Sequence, residues 1–516
     1  MTVRCGVLLA LCCGLSLAQT QSVTGTVTST IDSTAIAGAR VSLQGGATVS
    51  TVLTDAGGAF TFGGVPTGNY SLSAERTGYL AEEQGRGVAN AFASVTGQGK
   101  PAPVAMRLTP AATIIGSVTD EAGLPLPNAS VECVSRTVWN GRGRLSAARQ
   151  TNANDLGDFR LSAVPAGRYL VCVNVTASSY QRHHRLTYPT DCYPGVADPA
   201  SAQWVNLSPG EERQLSFRMK PVHGTRISGS VANADKWTSV SVRRMDPPGF
   251  PQMLAPPVKW DQKTAAFEIL AVSPGDYLIT AYSNSGNGQS RRAMRTIQVG
   301  SEDIGDIRLA LRESSYLSGT VRMGDTPIPA DSHLNVRIDG DRRLSLYAFS
   351  GGSFRWEITE PGEYSLSVLP QQGWYVQAIT QGDTDIVDRK ITIDSDAASE
   401  PIEIVLAQGG GIVQVSIERD VVQPNVQVKL TLLRHLSTDD GWASQGQPTY
   451  TAGAGQLTLT LFGIPSGQYL LFAWPSASEV EYLNPEVIDK YRSFGQSVSV
   501  RDGKTTRVTV TPVPIE

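Results

Sequence analysis

The chain has 516 residues, with 43 Lys and Arg against 47 Asp and Glu, for a net charge of −4. That balance lacks the basic surplus expected of a nucleic-acid binder. Charged residues make up only 17%, and the 51 glycines and 30 prolines suit short strands joined by tight turns, not an array of long helices.

Residues 1–18, "MTVRCGVLLALCCGLSLA", read as a signal peptide. Arg4 is the positive n-region, Val7 to Leu17 are an apolar run too short to span a bilayer, and Ser16-Leu17-Ala18 predicts cleavage after Ala18. No later run reaches 18 apolar residues, so no transmembrane segment is expected in the mature chain. Three of the six cysteines fall inside the signal; Cys133, Cys172 and Cys192 remain. An odd count in an exported chain leaves one thiol over.

From residue 19 onward one unit recurs. It opens on Gly-x-Val: Gly25/Val27, Gly116/Val118, Gly229/Val231 and Gly319/Val321. A second strand follows, as in "AGARVSLQG" (37–45), then an Asp/Asn-Gly turn such as "TDAGGAF" (54–60), which sets a hairpin. A large apolar residue (Phe60, Phe159, Phe267, Phe354, Leu459) stands ten residues before the tyrosine of "VPTGNYSLSA", "VPAGRYLVCV", "VSPGDYLITA", "TEPGEYSLSV" and "IPSGQYLLFA". Those tyrosines, Tyr70, Tyr169, Tyr277, Tyr364 and Tyr469, are 99, 108, 87 and 105 residues apart, which indicates tandem domains and not a solenoid. Gly in the turn accepts a positive φ, and the tyrosine enters its strand with the ring inward and the hydroxyl near turn backbone, the logic of a β-sandwich tyrosine corner. Each unit closes on an alternating strand such as "VAMRL" (104–108). The expected divisions are 19–110, 111–221 with a long insertion, 222–312, 313–406 and 407–516.

The series Gly-x-Val, Ala-x-Val, Asp-x-x-Gly-x-Phe, Pro-x-Gly-x-Tyr resembles carboxypeptidase regulatory-like domains, closely over about 22–109 and 111–221. The third and fourth units match at the opening and the corner. The fifth lacks the Gly-Ser/Thr-Val opening and has Leu459 for Phe. The resemblance implies an all-β chain: a tandem array of about five transthyretin-like, Greek-key, seven-stranded β-sandwiches, a fold grouped with carbohydrate-binding-like folds. The arrangement, with "YPTDCYPGVADPASAQ" (188–203) in an insertion, is similar to multi-repeat exported proteins of acidobacteria. In the carboxypeptidases that name the family this domain is not catalytic.

Catalytic residues are not expected. A metallocarboxypeptidase centre needs histidines and a carboxylate on zinc, but His183, His184, His223, His333 and His435 are scattered, and His-Glu-x-x-His and Gly-x-Ser-x-Gly are absent. Asp383, Asp385 and Asp388 lack the spacing of a calcium loop. No metal or cofactor is therefore expected. Pairing Cys172, on the second Tyr strand, with Cys192 would tether the insertion and leave Cys133 free; Cys133–Cys172 is the alternative. Trp374 and Tyr375 in "QQGWYVQA" and Trp442 in "DDGWASQG" follow glycines in polar surroundings, so they are candidate stacking residues on a loop, whereas Trp204, Trp356 and Trp474 sit in alternating strands and read as core. The leading expectation is an exported, non-enzymatic scaffold or binding protein that is periplasmic, outer-membrane-associated or extracellular. The alternatives are a carbohydrate-binding protein and an accessory array for an outer-membrane transport or adhesion system. The partner expected is an envelope protein or a polysaccharide.

Overall fold

The computed structural model describes residues 20–45, 48–81, 88–96, 99–139, 141–175, 185–245, 256–284, 290–314, 316–328, 335–340, 352–357, 362–369, 374–387, 390–393, 400–418, 428–435, 442–443, 449–452, 457–475 and 480–514. The expected signal peptide, 1–18, lies outside these residues.

The first repeat sets the pattern. Its strands are β1 (Thr20–Ser29), β2 (Arg40–Gly45), β3 (Thr48–Leu53), β4 (Ala59–Pro66), β5 (Gly68–Glu75), β6 (Tyr79–Ala81), β7 (Val88–Val95) and β8 (Val104–Pro110). They form two sheets, in the orders β4-β1-β8-β6 and β3-β2-β5-β7; the three-residue β6 is additional to the seven strands expected. Period-two sequence becomes two-faced strands. On β5, Tyr70, Leu72 and Ala74 are buried while Asn69 and Ser71 face solvent. In the turn between β3 and β4, Asp55 Oδ1 accepts hydrogen bonds from the amides of Gly57 and Ala59. The same device recurs at Asn154, which caps Leu156 and Asp158.

β1 is antiparallel to β4 and parallel to β8. Four further strands repeat this placement: Ala112–Asp120, Thr225–Ala232, Tyr316–Met323 and Gly411–Ile417 each lie between an antiparallel strand carrying Phe159, Phe267, Phe354 or Leu459 and a parallel closing strand. Each of the five sheet pairs encloses its own cluster of buried side chains. Because opening and closing strands run parallel, the chain enters a sandwich at one end and leaves at the other.

The fifth sandwich adds α1 (Pro485–Tyr491), whose first turn is capped by the Asn484 side chain on the Glu486 amide. It belongs to a second apolar layer with Leu433, Phe472, Trp474 and Ile488, in which the Phe472 and Trp474 rings stack at 5.0 Å. This covered face explains why "YLLFAW" is buried at nearly every residue and not at alternate ones.

Candidate functional site: the corner, its glycine lock and the joints

The most repeated geometry is the corner. The hydroxyl of Tyr70 donates to the Pro66 carbonyl at 3.0 Å, Tyr169 to Pro165 at 2.8 Å, Tyr277 to Ser273 at 3.0 Å and Tyr469 to Pro465 at 2.7 Å. Tyr364 is equally buried, with its ring edge-on to Trp356 at 5.6 Å. Gly68, Gly167, Gly275 and Gly362 take φ of 157°, 155°, 149° and 152°, a region costly for other residues. Four corners therefore satisfy a turn carbonyl, and all five bury a large ring.

The Gly-x-Val opening has a packing reason. A Cβ on Gly25 would lie 2.1 Å from the Val104 carbonyl oxygen and 2.4 Å from the Phe60 ring. On Gly229 it would lie 2.2 Å from the Ile307 oxygen and 2.6 Å from Phe267, and on Gly319 2.3 Å from Phe354. The ring of the Phe strand thus lies against the bare backbone of the opening strand. The fifth sandwich inverts the arrangement: Val415 stands opposite Leu459, where the others set Gly against Phe. The loss of the motif there exchanges volume between two facing strands.

Cys172 and Cys192 are joined in a disulfide between paired positions of the second Tyr strand and the insertion. Cys133 is free and buried on the opposite, core face, where burial pushes its thiol up to about 12, leaving it unreactive near neutral pH. Beside it on the strand, Glu132 is 7% exposed, and burial alone raises its carboxyl to about 7. Burial likewise raises Asp191, one of whose oxygens has no partner. The insertion also reaches the next sandwich. Leu186–Thr187 pairs with Val222–His223, the Gly224 amide donates to the Arg185 carbonyl at 2.6 Å, and Arg185 pairs with Asp303.

The other joints are equally specific. Glu357 of the fourth sandwich accepts from Ser314 at 2.7 Å, Ser290 at 2.9 Å and Arg292 at 3.1 Å. Burial pulls its carboxyl up, but these hydrogen bonds and the Arg292 charge outweigh it and hold the group below its ordinary value. Gly463 of the fifth sandwich abuts the Trp374 carbonyl, where an added Cβ would come to 2.9 Å. Arg136 of the second sandwich meets Glu481 of the fifth at 2.6 Å, and the Leu483 amide donates to Gly141 at 3.0 Å. No sequence signal announces these residues, because their partners are far away in the chain; Arg136 and Glu481 are 345 residues apart.

The proposed stacking residues are placed differently from the sequence reading. Trp374 and Tyr375 open a strand, Trp374–Gln381, paired with the closing strand of the fourth sandwich, so they are not on a loop. Both are half-buried, Trp374 packing against the core, because the closing strand recruits "WYVQAITQ" as a neighbour. Trp442 lies in the short strand Trp442–Ala443 beside Arg434–His435; its side chain is outside the described residues. Trp356 and Trp474 are buried. Trp204 stands just before the strand Val205–Leu207 with the Arg168 guanidinium 5.4 Å from its ring. Among the described residues, aromatics the sequence did not single out are strongly exposed: Phe92 at 83%, Trp237 at 56% and Phe462 at 51%. They occupy different places in different sandwiches.

Asp383 and Asp385 are exposed; Asp388 lies outside the described residues, as do His183, His184 and His333. Among the described residues no three His, Cys, Asp or Glu side chains gather as a metal site would require. No helix of the described residues is long and apolar enough to cross a membrane.

No curated protein matches the chain. Among solved structures, the Bacillus anthracis TIE protein aligns at 15% identity over 57% of this chain and 51% of its own, with a TM-score of 0.18; the chain thus spans about half of that protein's length. The full-length RrgB pilus protein from Streptococcus pneumoniae aligns at 8% identity over 79% of this chain and 99% of its own, with a TM-score of 0.18. BcpA, the major pilin subunit of Bacillus cereus, aligns at 9% identity over 95% and 98%, with a TM-score of 0.14. The carboxypeptidase regulatory-like domain model matches twice. Residues 22–107 and 113–220 are therefore carboxypeptidase regulatory-like domains, and the chain is a multi-sandwich protein built in part from that family.

Proposed function

We propose that this chain is an exported, non-catalytic scaffold of the bacterial cell envelope, an array whose work is to hold a fixed shape and present its outer surfaces to an envelope partner. One observation carries the reading: what recurs from sandwich to sandwich is interior. The corner hydrogen bond recurs at Tyr70, Tyr169, Tyr277 and Tyr469, while among the described residues the exposed aromatics do not recur. A ligand-binding array repeats its site to gain avidity; a scaffold repeats its core. Export is supported by the signal-like residues 1–18, and a disulfide suits an oxidising compartment.

Polysaccharide binding has weaker support, since Trp374 and Tyr375 are half-buried in a paired strand. The test is cross-linking of the chain in intact envelopes beside affinity electrophoresis against soluble polysaccharides. The scaffold reading expects a defined cross-linked protein partner and unretarded migration in every gel. Retardation abolished by Trp374→Ala would replace it with the carbohydrate reading, and a cross-link to an outer-membrane transporter would favour the accessory array.

A further inference from the structure

In the second and third sandwiches the sheet edge that corresponds to β3 is defended by charge. The edge strand Arg142–Asn152 of the second sandwich carries Arg142, Arg144 and Arg149, and Ser239–Arg244 of the third carries Arg243 and Arg244. Such charges are a usual means of stopping one sheet edge from pairing with another. β3, at the corresponding edge of the first sandwich, reads "TVSTVL" and contains no charge, proline or glycine. Its Val49 and Leu53 side chains are 73% and 66% exposed. β7, at the opposite edge, lies closer to the facing sheet, through β6 and β8, than β3 does through β4.

The register defines which backbone groups of β3 are open. Thr54 donates its amide to the Ala39 carbonyl at 2.9 Å, and β2 and β3 pair in unbroken antiparallel register from Arg40↔Leu53 to Gly45↔Thr48. Ladder bonds in such a pair fall on alternate residues, so Val52 and Ser50 bond inward to β2. The amides and carbonyls of Val49, Thr51 and Leu53 therefore point away from the sheet. The same three residues put their side chains on its exposed outer face.

This outward row is symmetric about Thr51, with one aliphatic residue two positions to either side. We propose that β3 pairs antiparallel with β3 of a second copy of this chain, about a two-fold axis at Thr51, joining the two sheets β3-β2-β5-β7 into one continuous sheet. Thr51 then lies opposite the second copy's Thr51, and Val49 opposite the second copy's Leu53. All three outward residues fall in hydrogen-bonded positions, and each exposed aliphatic side chain covers the other's on the outer face. An isologous contact of this kind requires a self-complementary strand, and the uncharged, symmetric β3 meets that requirement where the arginine-bearing edges do not. A single strand pair buries much less than a standard interface of about 1,600 Å², so the dimer is weak and reversible. The inference is independent of the scaffold reading.

Sedimentation equilibrium of the full chain over a concentration series tests it, with two variants beside the parent. Val49→Lys/Leu53→Lys places like charges across the seam. Thr51→Pro removes an outward amide while leaving the β2 ladder intact, a position where an edge strand tolerates proline. The parent is expected to show a monomer–dimer equilibrium. Each variant should weaken it at least tenfold while the circular-dichroism melting curve stays unchanged. A parent that remains monomeric throughout the series, or a dimer that both variants leave untouched, overturns the proposal.

Discussion

Glu132 shows how one residue can work against the rest of its strand. It sits in "VECV", where Val131 and Cys133 fill the core and Glu132 points to the other face. There it lies opposite Gln150 on one neighbouring strand and Cys172 on the other, under the disulfide-tethered insertion. Its carboxyl rises from an ordinary 4.5 to about 7 through burial. Between those values the folded chain holds a proton that the unfolded chain has released, so stability falls as pH rises through that window. At one pKa unit per about 1.4 kcal/mol, the loss above pH 7 is about 3 kcal/mol. Glu132→Gln should therefore stabilise the second sandwich at pH 8, with the advantage shrinking toward zero near pH 5. Protection factors from hydrogen exchange of the Val131–Val134 amides would show this; a gain independent of pH would mean that ionisation is not the cause. The alternation of "SVECV" made the inward and outward faces legible. What it did not reveal is the cover over the outward face, supplied by an insertion some 60 residues further on.

At the level of strands, the Gly–Phe lock couples two elements that the sequence shows only as separate motifs. Gly-x-Val and the Phe ten residues before the corner tyrosine were plain in the repeat; that they touch follows from register, because Gly229 pairs with Phe267 on one side and Ile307 on the other. Gly229→Ala forces a methyl group toward the Phe267 ring and the Ile307 carbonyl oxygen, and overpacking of this kind costs about 1–3 kcal/mol. The fifth sandwich shows the compensation, since Val415 there faces the smaller Leu459. In the Gly229→Ala/Phe267→Leu double variant the combined loss should fall short of the sum of the single losses by about 0.5–3 kcal/mol, the range for contacting residues. A double-mutant cycle read by chemical unfolding decides it, and strict additivity would mean that the backbone carbonyl alone sets the cost. The same dependence on pairing explains the misplaced tryptophan. "QQGWYVQA" has no alternation to mark a strand, yet from Trp374 onward the chain becomes one because the closing strand Ile402–Gln408 offers it an open edge.

Across the whole molecule, the five corners made five sandwiches legible, but the repeat is silent on how they are held together. The joints are built from singular residues: the insertion bracing the second sandwich to the third through Arg185 and Asp303, Glu357 gathering Ser290, Ser314 and Arg292, and the Trp374 carbonyl against Gly463. With the contact of Arg136 and Gly141 to Glu481 and Leu483, the second to fifth sandwiches form a closed circuit and not an open string. Within the closing contact the ion pair adds little beside the Tyr482 ring that lies against Gly141. Arg136 is 59% exposed, and exposed ion pairs contribute only about 0–1 kcal/mol. It does, however, close a ring whose other joints have already restricted the ends, so little further entropy is lost on forming it. Arg136→Glu combined with Gly143→Trp, which sets a like charge and a bulky ring against Glu481, should open the circuit and leave every sandwich folded. Small-angle scattering would then report a larger radius of gyration and a longer maximum dimension, with the circular-dichroism spectrum unchanged. Restoring opposite charge with Glu481→Arg in the Arg136→Glu background, without the tryptophan, should return the compact profile. Scattering indistinguishable between parent and the opened variant would mean that the second and fifth sandwiches are held by contacts other than this one, and the circuit would have to be assigned to the joints along the chain.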